Sequence, residues 1–179
     1  MKKTLMVASI LLLAASFSYA QTNASGTSTL SVNVGAEAAI VVNTTPAFVS
    51  SGIFGNYTAT TPITYYVRTI TGGSIVVEVT SDFSTGGVGG GPSVANPPTS
   101  GDLLTYTCTS AAPVTGSATA CATALTASTA STTNVVTFAA TTQSAKAGNS
   151  ASTSWTLVND PAYKAGSYSA TVTYTISAS

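Results

Sequence analysis

The sequence predicts an all-β protein, an antiparallel β-sandwich of about eight or nine strands. Three observations carry that expectation. Apolar and hydroxyl-bearing residues alternate with period two through most of the chain, as a strand with one buried face requires. No window of helical length carries a 3.6-residue apolar stripe. Clusters of Gly, Pro, Asn and Ser punctuate the alternating runs at short intervals.

The elements follow in chain order. Lys2 and Lys3, an apolar run over residues 4–15 and the small-x-small triplet Ser18-Tyr19-Ala20 read as a cleavable signal peptide over residues 1–20. No cysteine follows that run to take a lipid, and no later stretch is long and apolar enough to stop transfer. No membrane insertion after cleavage is therefore expected. Residues 21–28 read as a flexible mature N-terminus and residues 29–179 as a single domain of ordinary size. Within 29–34, Leu30, Val32 and Val34 alternate with Ser31 and Asn33. This segment reads as the domain's own first strand, the simpler expectation, or as a donor strand that completes a neighbour's sheet. Residues 39–42 read as a fully apolar strand.

Residues 63–70 and 74–83 read as a hairpin closed by a Gly72-Gly73-Ser74 loop. That register sets Val67 opposite Val79 and Ile63 opposite Phe83 on a core face, and Arg68 opposite Glu78 on the outer face. Residues 84–101, with a GGVGGG run followed by Pro92, Pro97 and Pro98, read as a long loop. The loop lacks the Lys-Ser/Thr ending of a phosphate cradle. Further strands are expected at 103–108, 119–125, 134–139 and 152–158, with Trp155 as an inter-sheet core residue. At the C-terminus Tyr168, Ala170, Val172, Tyr174 and Ile176 share one face and Ser169, Thr171, Thr173, Thr175 and Ser177 the other. The apolar face needs an opposing sheet to bury it, which makes this closing strand the expected mechanical centre of the domain.

Cys108 and Cys121 are the only two cysteines, and in an exported chain they are expected to form a disulfide. Their spacing is not the C-x-x-C of a redox pair. The chain contains no histidine, which removes Ser-His-Asp and Cys-His catalysis and His-containing metal sites. The acids Glu37, Glu78, Asp82, Asp102 and Asp160 are scattered in sequence, so no carboxylate pair is indicated. No enzymatic activity, cofactor or metal is expected. Beyond the leader, those five acids face only Arg68, Lys146 and Lys164, a balance with no electrostatic footprint for nucleic acid. Serine and threonine supply roughly a third of the chain, and charged residues only 6%. Solubility therefore rests on hydroxyls, and such surfaces pack closely against copies of themselves because few ions need desolvating.

Phe54-Gly55-Asn56-Tyr57 resembles the Phe-Gly-x-Tyr/Val turn of spore-coat-U-like and WxL-type domains. Ala165-Gly166-Ser167-Tyr168 leading into TVTYTIS resembles their closing strand, and Gly166 is placed like the glycine before the last strand of fimbrial subunits. The chain departs from these patterns at Tyr174-Thr175-Ile176, where a WxL domain has Trp-x-Leu. It departs again at Ala178, where fimbrial subunits carry an aromatic, and in its short Cys108–Cys121 spacing. The resemblance implies an Ig-like sandwich and a non-enzymatic, exported structural or adhesive subunit of a bacterial cell-surface fibre, coat or matrix. Implied locations are the cell surface, the medium or a periplasm, and implied partners are copies of itself or other surface subunits. A secreted carbohydrate-binding module, with tyrosines and the Gly/Pro loop on a polysaccharide, is the alternative expectation.

Overall fold

The computed structural model describes residues 27–84, 90–94 and 102–179. The expected signal peptide, most of the segment 21–28 and most of the loop 84–101 lie outside the described residues. The chain divides into Met1–Asn33 and Val34–Ser179, and every described strand belongs to the second unit. The strand expected over 29–34 is not formed: residues 27–36 have no regular structure, and Leu30, Val32 and Val34 are 95%, 85% and 56% exposed.

Among the described residues ten strands form two antiparallel sheets and no α-helix occurs. They are β1 (Glu37–Val42), β2 (Val49–Ser50), β3 (Tyr57–Arg68), β4 (Gly73–Ser84), β5 (Leu104–Ser110), β6 (Ala118–Ala120), β7 (Leu125–Thr126), β8 (Thr133–Phe138), β9 (Asn149–Leu157) and β10 (Ser169–Ala178). A six-stranded sheet runs β1-β3-β9-β5-β7, with β2 also on β3; a four-stranded sheet runs β10-β4-β8-β6. Ile63, Tyr65, Leu104, Tyr106, Trp155 and Leu157 from the first sheet join Ile75, Val77, Val79, Val136, Phe138 and Tyr174 from the second in one core. This is a β-sandwich-like arrangement, and Tyr65 spans it to meet Phe138 with ring centroids 5.1 Å apart.

Hydroxyls handle the polar accounting inside. Trp155 Nε1 donates to Thr61 Oγ1 at 3.0 Å, Tyr106 donates to Thr133 Oγ1 at 2.8 Å, and the Tyr174 and Thr153 hydroxyls bond each other. Among the described residues no buried side-chain nitrogen or oxygen lacks a partner. On the outer face of the large sheet the register aligns Thr58, Thr156, Thr105 and Thr126 in one rank across four strands.

The expected hairpin does not form. β3 and β4 lie in different sheets, and residues 69–72 carry the chain from one layer to the other. Arg68 stands opposite Glu37 of β1, with Nη1 3.5 Å from its carboxylate, and Glu78 stands opposite Thr173 of β10. Alternation could not distinguish these outcomes, because a hairpin and a cross-layer arch bury the same residues: Val67 and Val79 are both in the core. The arch is set by Gly72, which is buried at φ 140°, with Phe138 O only 3.0 Å from where a Cβ would stand. The amides of Ile70, Thr71 and Gly72 donate to Ser179 O at 2.7, 2.7 and 3.3 Å instead of closing a turn onto β3.

A second correction concerns β10. It forms the edge of the small sheet, not a covered centre, and of its apolar face only Tyr174 is fully buried. Val172, Ala170 and Ile176 stay half-buried. The expected strand at 119–125 is also broken, into β6 and β7 on different sheets. Cys121 lies in the break, at bonding distance from Cys108 on β5 with Cα atoms 5.3 Å apart, so the pair ties one sheet to the other. Replacing both cysteines by serine removes the tie between layers and should lower unfolding free energy by about 3 kcal/mol in denaturant titrations.

Candidate functional site

The edge of the large sheet is interrupted next to β10. β1 and β2 both pair with β3 on the same side, and the chain leaves that edge over residues 43–48. Pro62 of β3 lies in this interval, between the partners of the two short strands. With no N–H to donate, it does not favour a continuous partner there. Its carbonyl accepts the Asn43 amide at 3.0 Å, which ends β1.

Where the edge is missing, the space between the sheets opens as a cleft of about 940 Å³. Its floor includes Trp155, Leu157, Leu104, Phe83 and Tyr174. One rim is formed by Val42, Phe48, Phe54 and Tyr57, and the other by Tyr168, Ala170 and Val172 from the β10 side. The β9–β10 connection, including Pro161 and Tyr163, closes one part of the lining. It is fixed by the Tyr163 hydroxyl donating to Asp102 at 2.8 Å and by Lys164 N donating to Gly90 O at 3.0 Å. The five floor side chains are themselves buried, none more than 9% exposed, while Ala170 and Val172 on the rim stay half-buried.

β10 is the second component. Its only strand partner is β4, so its outer edge offers main-chain donors and acceptors free of ladder bonds among the described residues. Sheet edges are normally guarded by Lys, Pro, bulges or inward charges. The sequence of β10, SATVTYTISA, contains no charged residue and no proline. Its register irregularities against β4 are confined to the stretch 169–172. An edge without charge or proline beside a largely apolar cleft suits main-chain pairing, beyond the irregular stretch 169–172, with an extended segment whose alternate side chains point into the cleft.

Residues 29–34 supply such a segment in sequence: Leu30, Val32 and Val34 alternate, carry no charge and are exposed. Cys108 and Cys121 do not line the cleft. The acids are not brought together as a metal site: among the described residues no three His, Cys, Asp or Glu side chains converge. A second depression of about 610 Å³ lies on the outer face of the large sheet, over Thr58, Thr60, Thr105, Thr107, Ser154 and Thr156. Sequence reasoning missed the cleft, β2 and the edge position of β10. The available signal was the lack of any charge or proline in a long terminal strand. No family model, curated protein or solved structure matches this chain.

Burial raises the hydroxyl pKa of Tyr65, Tyr106 and Tyr174. Tyr163 is raised furthest, by burial first and then by its bond to Asp102. A phenol held neutral in the fold adds stability that is complete below the unfolded value of about 10 and is lost as pH rises from there toward the folded value. Melting temperature should therefore fall steeply above about pH 10, and Tyr163→Phe should blunt that fall. A pH-independent melt across the alkaline range would contradict this.

Proposed function

We propose that this chain is an exported, non-enzymatic structural subunit with an Ig-like sandwich, assembled into a cell-surface fibre or coat by donor-strand addition. Residues 1–20 direct export and are removed. Residues 29–34 of one copy then enter the cleft of the next, pairing along β10 while Leu30, Val32 and Val34 cover Trp155, Leu157 and Tyr174. The observation that carries this reading is the charge-free, proline-free outer edge of β10 beside a largely apolar cleft. A six-residue strand spans about 20 Å, and the three side chains would each contribute about 1.5–3 kcal/mol on full burial. Main-chain bonds along β10 add affinity and fix the register. The Thr- and Ser-rich outer faces give the polymer a surface that stays hydrated without charge.

A second reading rests on the tyrosines of the same cleft. Tyr57, Tyr163 and Tyr168 line it together with Pro92, and aromatic rings beside an open groove suit a neutral polysaccharide. Electron microscopy of the purified chain beginning at Gln21, alongside pull-down on insoluble polysaccharides, separates the two. Filaments are expected. Dispersed monomers retained on a polysaccharide would replace the subunit reading with the binding module.

A further inference from the structure

The turn between β2 and β3 carries two features that cost free energy in an isolated domain. Phe54 is a non-glycine residue at φ 52°, in the left-handed region that a bulky side chain rarely adopts. It is also 65% exposed, although its ring stands on the rim of the cleft. The turn is not loose. Gly55 N donates to Gly52 O at 3.0 Å, and Ser51 N donates to Asn56 O at 3.1 Å. Ser50 Oγ donates to Gly52 O at 2.7 Å. Asn159 anchors the turn from the β9 end, through Nδ2 to Gly55 O at 3.2 Å and its amide to Asn56 Oδ1 at 3.4 Å. The surroundings thus over-determine a strained position that presents an aromatic ring to solvent at the mouth of an apolar groove. Strain held in this way clusters at active sites, ligand clamps and switch regions.

We infer that Phe54 is a latch: its ring folds over a strand docked in the cleft and slows that strand's release. The inference rests on the donor-strand reading above and names residues 29–34 of a second copy as the occupant. The chain's own features favour this occupant. The segment carries no charge and its apolar residues recur at strand spacing, the cleft lining is uncharged apart from Asp160 and Lys164 on the β9–β10 connection, and the neighbouring edge of β10 has no strand partner besides β4. In the unoccupied domain the ring gains little, since most of it faces water. With a strand in place, the apolar area on Phe54 and on the strand is removed from water together. Contacts made only in the complex act on the dissociation rate rather than on encounter. The rigid turn means that little conformational freedom is lost when the ring packs.

The latch separates from a structural role through the sign of two effects. Phe54→Gly relieves the left-handed strain, so the unassembled domain should melt no lower than wild type. Phe54→Asn, which tolerates the same backbone region, removes the ring without adding glycine flexibility. Both variants should release subunits from preformed assemblies roughly tenfold faster or more, the effect of losing a partly buried aromatic. The readout is subunit exchange between differently labelled assemblies, with Val32→Asp as the control for docking itself. Wild-type exchange rates in both variants would overturn the latch while leaving the donor-strand reading in place, provided Val32→Asp fails to assemble. A lower melting temperature in both variants with unchanged exchange would make Phe54 a structural residue, which also overturns it. If wild type forms no assemblies, the donor-strand reading fails and the latch fails with it.

Discussion

Val32→Asp should abolish assembly and leave the monomer folded. Val32 is 85% exposed and lies in no strand, so a charge there alters no packing within the domain. Exposed substitutions of this kind change stability by no more than about 0.5 kcal/mol. In the assembled state the same side chain would sit over Trp155 and Tyr174. A carboxylate buried there without a partner costs several kcal/mol, enough to offset most of what the strand contributes. Sedimentation should find only monomer, and the melting curve should overlay that of the wild-type monomer. A destabilised monomer would instead identify residues 29–34 as an internal strand of the domain.

Tyr174→Ala should be the most damaging single change to the domain itself. The ring is 9% exposed, lies on the cleft floor and shares a hydrogen bond with Thr153. Removing a core aromatic costs about 3–5 kcal/mol, a large part of the roughly 5–15 kcal/mol that holds a typical domain together. Tyr174→Phe keeps the ring and leaves the Thr153 hydroxyl without its partner, so about 1–3 kcal/mol is expected. Urea titrations of the pair apportion the loss between ring and hydroxyl. Equal effects would mean that packing of the ring contributes nothing, against the geometry of the core.

Much of the architecture is legible in the alternation of apolar and hydroxylated residues. Ile63, Tyr65 and Val67 point inward with Ile75, Val77 and Val79 because period two dictates it, and Trp155 is buried for the same reason. The layer to which each strand belongs is not legible in this way. The 69–72 arch and a hairpin satisfy one pattern equally, and the difference rests on contacts of Gly72 with Phe138 and Ser179 that are remote in sequence. The cleft is hidden for a related reason. Val172 reads as a core residue whether or not a strand from the opposite sheet reaches it. Only the three-dimensional arrangement, with its gap between β1 and β2, reveals that Val172 is left half-buried beside the cleft. The pairing of Cys108 with Cys121 is legible in their being the only two cysteines, but its role in tying the two sheets depends on the break between β6 and β7.

Amide hydrogen exchange measured on assembled wild-type protein and on the Val32→Asp monomer tests the central claim most directly. Donor-strand addition places residues 29–34 and the outer edge of β10 in one ladder, so both should exchange slowly in the assembly and fast in the monomer. Assemblies in which residues 29–34 and β10 exchange as fast as in the monomer would contradict the account.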